Sequence, residues 1–207
     1  MLGEFINLKQ RIGLFGGTFN PIHNCHILIA EIFIHEMGLD LLIVIPSGYS
    51  YHKENNNKNI ENNHRYNMCQ LAFSAYTKIK ISNIDIQRSG NTYTYETIKI
   101  LRDFYPESEF WWLLGSDSFL ELDSWYRYEY LIQMTSFAIA LRSPNTEKDI
   151  VKKNNTFITP ANIKILNIPK CPTSSTKIRE GIKNKAINPQ WLPKEVEKYI
   201  RENKLYV

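Results

Sequence analysis

Two histidines three residues apart, His23 and His26, follow the turn Gly16-Gly17-Thr18-Phe19-Asn20-Pro21. The two glycines lack a Cβ, so backbone N–H groups there can come close to an anion, and Thr18 adds a hydroxyl donor. A short apolar run precedes the turn and apolar residues at helical spacing follow it. That pattern reads as strand, loop, helix, and it leaves unpaired N–H groups and the positive end of a helix dipole facing the loop. Histidines three apart near a helix start lean to one side, so both imidazoles would border the same anion. The chemistry that suits these residues is that of a polyphosphate. Taken alone, the stretch equally suits a βα turn whose glycines only make the bend, with two surface or core histidines. It matches neither the dinucleotide fingerprint spacing nor a P-loop, since no Gly-Lys-Ser/Thr closes it.

The elements that must hold this loop are legible in the pattern around it. Residues 27–37 have helical apolar spacing and Gly38 is a natural stop. Residues 41–45 are a continuous aliphatic run ended by Pro46, as expected for a strand buried on both faces of a parallel sheet. The opening is therefore βαβ, which sets the first loop at the carboxyl end of its strand, where open α/β sheets bind ligands. A polar loop, residues 47–53, leaves the second strand on the same edge, so His52 and Lys53 are candidate phosphate ligands, against the alternative of an ordinary solvated lysine.

Further on, residues 65–72 read as a helix with Met68 in the core, and residues 78–86 alternate like a strand near a sheet edge. Gly90 marks a bend into a helix ending near Phe104, with Thr92 or Thr94 as its N-cap. Residues 109–114 form a fourth strand that ends in Gly115-Ser116-Asp117, where Asp117 is at least a helix cap; Trp125-Tyr126 follows. Residues 136–141 are a fifth strand, residues 142–159 are poorly patterned, and residues 163–168 are a sixth strand. Ser174, Ser175 and Thr176 lead into a helix that Gly181 and Asn184 weaken, and Pro193 suits the first turn of a last helix reaching about Asn203. The expected architecture is α/β: a Rossmann-like doubly wound parallel sheet, helices on both faces, and a small C-terminal helical part. Residues 1–10 read as an extension and residues 11–207 as one domain.

Composition narrows the class. The chain has 207 residues, 43% of them hydrophobic, and no apolar run of membrane-spanning length. Glu4 and Lys9 precede no long apolar core, so the reading is no signal peptide and a cytoplasmic protein. Cys25, Cys69 and Cys171 have no paired spacing, which argues for free thiols rather than a disulfide framework or a zinc module. The net charge of +4 is spread over scattered lysines, which suits a small phosphorylated substrate better than nucleic acid. A homo-oligomer is admitted but not specified.

The loop at residues 16–26 resembles the Gly-Gly-Thr/Ser-Phe-Asp/Asn-Pro-x-His-x-Gly-His signature of the nucleotidylyltransferase superfamily, with Cys25 where the family usually has glycine. Residues 172–179 resemble its second signature, Ile-Ser-Ser-Thr-x-Ile-Arg, with Thr173 for the leading Ile. Between them, residues 88–97 resemble the Arg-x-Gly-x-Ser/Thr-Tyr-Thr-x-Asp-Thr segment of the pyridine mononucleotide branch, with Glu96 for aspartate. Pro46, His52 and Lys53 keep part of that branch's phosphate loop, and Gly115-x-Asp117 and Trp125-Tyr126 fill further family positions. Nearly the whole chain beyond Lys9 is similar to bacterial nicotinate-nucleotide adenylyltransferases.

That resemblance implies adenylyl transfer from ATP to nicotinate mononucleotide, with Mg²⁺ and with pyrophosphate as the second product. It assigns catalysis to His23, His26, Lys53 and Arg179. It assigns ATP binding also to Gly16, Gly17, Thr18, Phe19 and Asp117, and to Ser174, Ser175 and Thr176. The mononucleotide falls to His52, Lys53, Thr92, Tyr93, Thr94, Trp125 and Tyr126, and no protein-held metal site is implied. The attacking 5′-phosphate is already ionised at neutral pH, so positioning and charge stabilisation are asked of these side chains, not a general base.

Overall fold

The computed structural model describes residues 9–48 and 60–207. Six strands form one sheet: β1 (Arg11–Gly17), β2 (Leu41–Pro46), β3 (Ile79–Ile81), β4 (Glu109–Gly115), β5 (Ser136–Ala140) and β6 (Ile163–Leu166). Every pairing is parallel and the order is β3-β2-β1-β4-β5-β6. This is the doubly wound Rossmann order, in which the chain reverses direction across the sheet between β1 and β4. The central strands read as unbroken apolar runs because successive side chains enter different cores. On β2, Leu42 and Val44 join one core while Leu41, Ile43 and Ile45 join the other.

The first core lies under α1 (Asn24–Met37), α2 (Asn62–Ala72), α7 (Ser175–Lys183) and α8 (Lys194–Glu202), through Phe33, Met68, Ile178 and Val196. The second lies under α3 (Thr94–Phe104), α4 (Ser116–Leu120), α5 (Tyr128–Met134) and α6 (Glu147–Asn154), through Ile98, Phe119, Leu131 and Ile150. Helices therefore cover both faces, as expected. Gly38 stops α1 in the left-handed region at φ 58°, and Gly90 makes its bend at φ 79°.

Several local expectations change. β3 is an edge strand, but only three residues of the alternating 78–86 run pair with β2, because the rest turns away towards the bend at Gly90. The N-cap of α3 is Tyr93, with Thr94 the first helical residue, so neither threonine caps it. Pro193 is the N-cap of α8, one position earlier than the first turn. The unpatterned 142–159 stretch contains α6, started by Thr146, which accepts from the Asp149 N–H, while Asp149 accepts from the Thr146 N–H. Eight residues with Ile150 as the buried apolar contact draw no stripe, so only the Thr-x-x-Asp cap announced this helix.

Candidate active site

A cavity of about 550 Å³ opens at the carboxyl ends of β1 and β4, where the strand order reverses. Its lining joins Gly16, Gly17, Phe19 and His26 from the first loop to Thr92, Tyr93 and Thr94 from the bend before α3, and to Trp125 and Tyr126 from the turn before α5. The volume suits a ligand of nucleotide size. Gly16 is glycine here for a packing reason: a Cβ would sit 2.6 Å from the Trp112 indole, itself a cavity wall.

His23 is the N-cap of α1 and His26 is its third residue. Their rings stack with centroids 3.7 Å apart, and the His23 N–H donates to His26 Nδ1 at 3.2 Å. Burial pushes the His23 imidazole down to about 4, and the nearby Arg142 charge adds to the effect. Burial, then His23 and Arg142, hold His26 well below its usual range. Both rings are therefore neutral at neutral pH. With Nδ1 accepting, the His26 ring proton sits on Nε2, leaving an N–H donor for the cavity that the ring lines. His23 Nδ1 is buried with no partner among the described residues.

The loop between β1 and α1 is held from three sides. Phe19 sits at φ 46°, a left-handed conformation costing an aromatic residue on the order of 1–2 kcal/mol. Its ring is wedged edge-on between Phe15, at 5.2 Å, and His26, at 5.1 Å, which over-determines the strained backbone. Below the loop, Arg65 of α2 is 2% exposed, and its guanidinium donates to the Thr18 carbonyl at 2.6 Å, the Ser47 carbonyl at 2.5 Å and Asn62 Oδ1 at 2.6 Å. One buried cation thus ties the loops after β1 and β2 together. From the C-terminal side, Ser175 Oγ donates to the Pro21 carbonyl at 2.9 Å and Arg179 to the Asn20 carbonyl at 2.8 Å.

At the opposite end, the bend before α3 is fixed by a buried carboxylate. Asp85, which also lines the cavity, accepts from Thr97 Oγ1 at 2.6 Å. Burial raises its carboxyl above the usual range, with Thr97 and Arg88 pulling the other way. Arg88 lies 3.8 Å from Asp85 and 3.6 Å from Glu96, so the residue replacing the family's aspartate still meets the arginine. Tyr93 and Tyr126 pack with centroids 4.5 Å apart, and the Arg127 guanidinium lies 5.2 Å from the Tyr95 and Tyr126 rings. The result is an aromatic wall at one end and hydrogen-bond donors at the other.

A family model for cytidylyltransferase-like proteins matches residues 14–181. A Neisseria meningitidis protein named probable nicotinate-nucleotide adenylyltransferase is 35% identical over 201 residues, 95% of this chain and 98% of its own length. A Bacillus subtilis protein named nicotinate-nucleotide adenylyltransferase is 32% identical over 197 residues, with the same coverage. The chain belongs to this adenylyltransferase family. Among solved structures, Plasmodium falciparum nicotinic acid mononucleotide adenylyltransferase complexed with NaAD is similar at a TM-score of 0.74 and 25% identity, covering 95% of this chain and 97% of that one.

Within this family member, the expected site residues divide into three groups. Gly16, Gly17, Phe19, His26, Thr92, Tyr93, Thr94, Trp125 and Tyr126 meet at the cavity. Thr18, His23, Asp117, Ser174, Ser175, Thr176 and Arg179 lie outside its lining. Of these, Ser174 caps α7 by accepting from the Lys177 N–H, while Ser175 and Arg179 brace the first loop. Asp117 is exposed, 4.0 Å from Arg142. His52 and Lys53 fall outside the described residues.

Sequence reasoning missed Arg142, Asp85 and Trp112 as cavity residues and Arg65 as the support beneath. Arg142 had one available signal: it is the second residue after a strand that ends on the ligand-binding edge.

Proposed function

We propose that this chain transfers the adenylyl group of ATP to nicotinate mononucleotide, forming nicotinate adenine dinucleotide and releasing pyrophosphate. The observation that carries the reading is the single cavity that joins the first loop and His26 to the 92–94 bend and the Trp125-Tyr126 turn. A 5′-phosphate oxygen attacks the α-phosphorus of ATP, and the bond to the bridging oxygen breaks to free pyrophosphate. The His26 Nε2–H donates to α-phosphate oxygens as charge builds there, and Arg142 supplies the cavity's guanidinium. Gly16, Gly17 and Thr18 cradle the triphosphate, with His23 stacked behind His26 to hold its ring. Arg179, Ser174, Ser175 and Thr176 meet the outer phosphates at the start of α7, and His52 and Lys53 complete the mononucleotide phosphate site. Trp125 and Tyr126 offer the pyridine a face, while N–H groups of the 92–94 bend meet its carboxylate.

Among the described residues no cluster of three or more His, Cys, Asp or Glu is arranged to hold a metal. The cavity's donors suit an anion, not a bare divalent cation. Mg²⁺ is assigned to ATP itself as part of the substrate, whose phosphate oxygens need few protein ligands beside them. Cytoplasmic location belongs to the same proposal, supported by three unpaired cysteines, as kept in reducing compartments. No helix of the described residues is long and apolar enough to cross a membrane.

The test is pyrophosphate release with ATP and each pyridine mononucleotide in turn. A site of N–H donors suits two carboxylate oxygens and faces an amide nitrogen with nothing to accept them, so kcat/KM should favour the acid by at least about a hundredfold. Equal use of acid and amide, or no pyrophosphate with either, overturns the assignment.

A further inference from the structure

The segment that follows α8 turns back and reaches the first loop. Lys204 and Tyr206 bend the backbone there in the left-handed region, at φ 50° and 66°. Neither is a glycine, and other residues keep such conformations only where their surroundings over-determine them. Leu205 between them is buried in the first core, and the half-buried Tyr206 ring packs against the same core. The turn brings Tyr206 to a partner 186 positions away: its hydroxyl donates to Asn20 Oδ1 at 2.7 Å. Burial holds that hydroxyl above the usual phenol range, against the pull of Arg179 and Arg65, so it is protonated and can donate. Asn20 is 6% exposed and follows Phe19, the strained residue of the loop. Arg179 meets the same residue on its carbonyl at 2.8 Å.

We propose that Tyr206 is a positioning residue for ATP: its hydroxyl fixes the Asn20 side chain and so holds the loop between β1 and α1 in the shape that cradles the triphosphate. This role rests on the phosphate site read above. Strain at Phe19 brings the held loop close in energy to a relaxed one, so a single hydrogen bond can decide between them. A relaxed Phe19 withdraws its ring from His26, which it meets edge-on at 5.1 Å, and the cradle and the donor to the α-phosphate loosen together. Arg179 is drawn to the outer phosphates when ATP binds, and the Tyr206 hydroxyl then keeps its own hold on Asn20. Tyr206 itself lies outside the cavity lining, so it acts through the loop and touches no substrate.

Tyr206→Phe removes one oxygen and leaves the ring against its core. ATP affinity should fall about tenfold, the equivalent of one buried hydrogen bond at ~1.4 kcal/mol per decade. The KM for the mononucleotide should hold, because its end of the cavity has other supports: Asp85 on Thr97 for the 92–94 bend, and Tyr93 against Tyr126 for the aromatic turn. Once Asn20→Ala has removed the acceptor, Tyr206→Phe should cost little more, since the two side chains act as a pair.

The test compares the full chain with Tyr206→Phe, Asn20→Ala and the double variant. Affinity for a non-hydrolysable ATP analogue is read by calorimetry, the KM for each substrate by steady-state kinetics, and loop opening by hydrogen exchange with mass spectrometry. In Tyr206→Phe the amides of residues 17–27 should exchange about tenfold faster relative to those of β4, with analogue affinity down about tenfold and the mononucleotide KM unchanged. Affinity and loop exchange that match wild type overturn the proposal. So does an equal drop from Tyr206→Phe with and without Asn20, which would place its effect elsewhere, and so does exchange that quickens in β4 as much as in the loop. Exchange needs no nucleotide, so a chain whose loop responds but which binds no ATP analogue refutes the proposed activity instead of the hold of Tyr206 on the loop.

Discussion

Lowering the pH from about 7.5 to about 5 tests the neutral histidine pair at the start of α1. In the unfolded chain an imidazole titrates near 6.5, whereas folded His23 titrates near 4 and His26 also lies well below 6.5. Between those values the unfolded chain binds protons that the folded chain refuses, so stability is fully present above pH 6.5 and is lost as pH falls. At ~1.36 kcal/mol per pH unit, the interval from 6.5 to 5 removes roughly 2 kcal/mol through His23, and His26 adds to the loss in the same direction. That is a large part of the ~5–15 kcal/mol that holds a domain folded. Rings 3.7 Å apart cannot both accept a proton in place, so neither relieves the other. Asp85 acts in the opposite sense, because burial raises its carboxyl. The assay therefore stops at about pH 5, above the ordinary carboxylate range. Urea unfolding at both pH values, on wild type and on His23→Asn/His26→Asn, isolates the pair. The double variant should lose at least about 2 kcal/mol less than wild type over the interval. A wild-type loss below about 1 kcal/mol, or an equal loss in the double variant, would refute the neutral buried pair.

His26→Ala removes the Nε2–H donor and should lower turnover roughly a hundredfold with the fold intact, as for other single charge-stabilising donors; near-normal turnover would take the ring out of the reaction. Arg142→Ala should raise the KM for ATP more than that for the mononucleotide, and steady-state kinetics with each substrate varied would expose the reverse. Arg65→Met leaves the Thr18 and Ser47 carbonyls without their donor and should cost about 3–5 kcal/mol in urea unfolding, and a cost under about 1 kcal/mol would mean the buried guanidinium is replaceable. Trp125→Ala should raise the KM for the mononucleotide far more than that for ATP, and impaired ATP binding instead would misplace the pyridine.

The parts of the fold legible in sequence were those where one segment carries its own pattern. Leu41–Pro46 announces a doubly buried strand by its unbroken aliphatic run, and Gly38 announces the end of α1 by the backbone region that only glycine enters cheaply. The first loop was legible as a candidate phosphate loop for the same reason, since it keeps its chemistry within a dozen residues, whereas Trp125-Tyr126 was singled out only by the family resemblance; both border the cavity. Arg65 was not, because its partners at Thr18 and Ser47 lie 47 and 18 residues away, and nothing near Arg65 distinguishes it from a solvated helix arginine. Arg142 and Trp112 were missed likewise: one sits at the end of a strand that reads only as core, the other within such a strand, yet both reach a cavity that forms across the sheet. The hydroxyls of Ser174 and Ser175 were found as residues, but their local jobs of capping and bracing depend on where α7 docks.

The place of β1 between β2 and β4 has a consequence for synthesis of the chain. During synthesis β1 finds β2 within about thirty residues, yet its other edge waits for β4, with Arg11 meeting Glu109 across 98 positions. Until residue 109 and its neighbours emerge, this central strand carries a bare row of peptide groups along one edge, a template for pairing with another nascent copy. The C-terminal helix closes the assembly later still, when the Tyr199 hydroxyl reaches His64 Nδ1 at 2.9 Å and Asn67 at 3.0 Å. Fragments that end before β4 should therefore aggregate, while fragments that end between β6 and α8 should hold the sheet and lose the anchor of α2, the helix whose Arg65 supports the first loop from below.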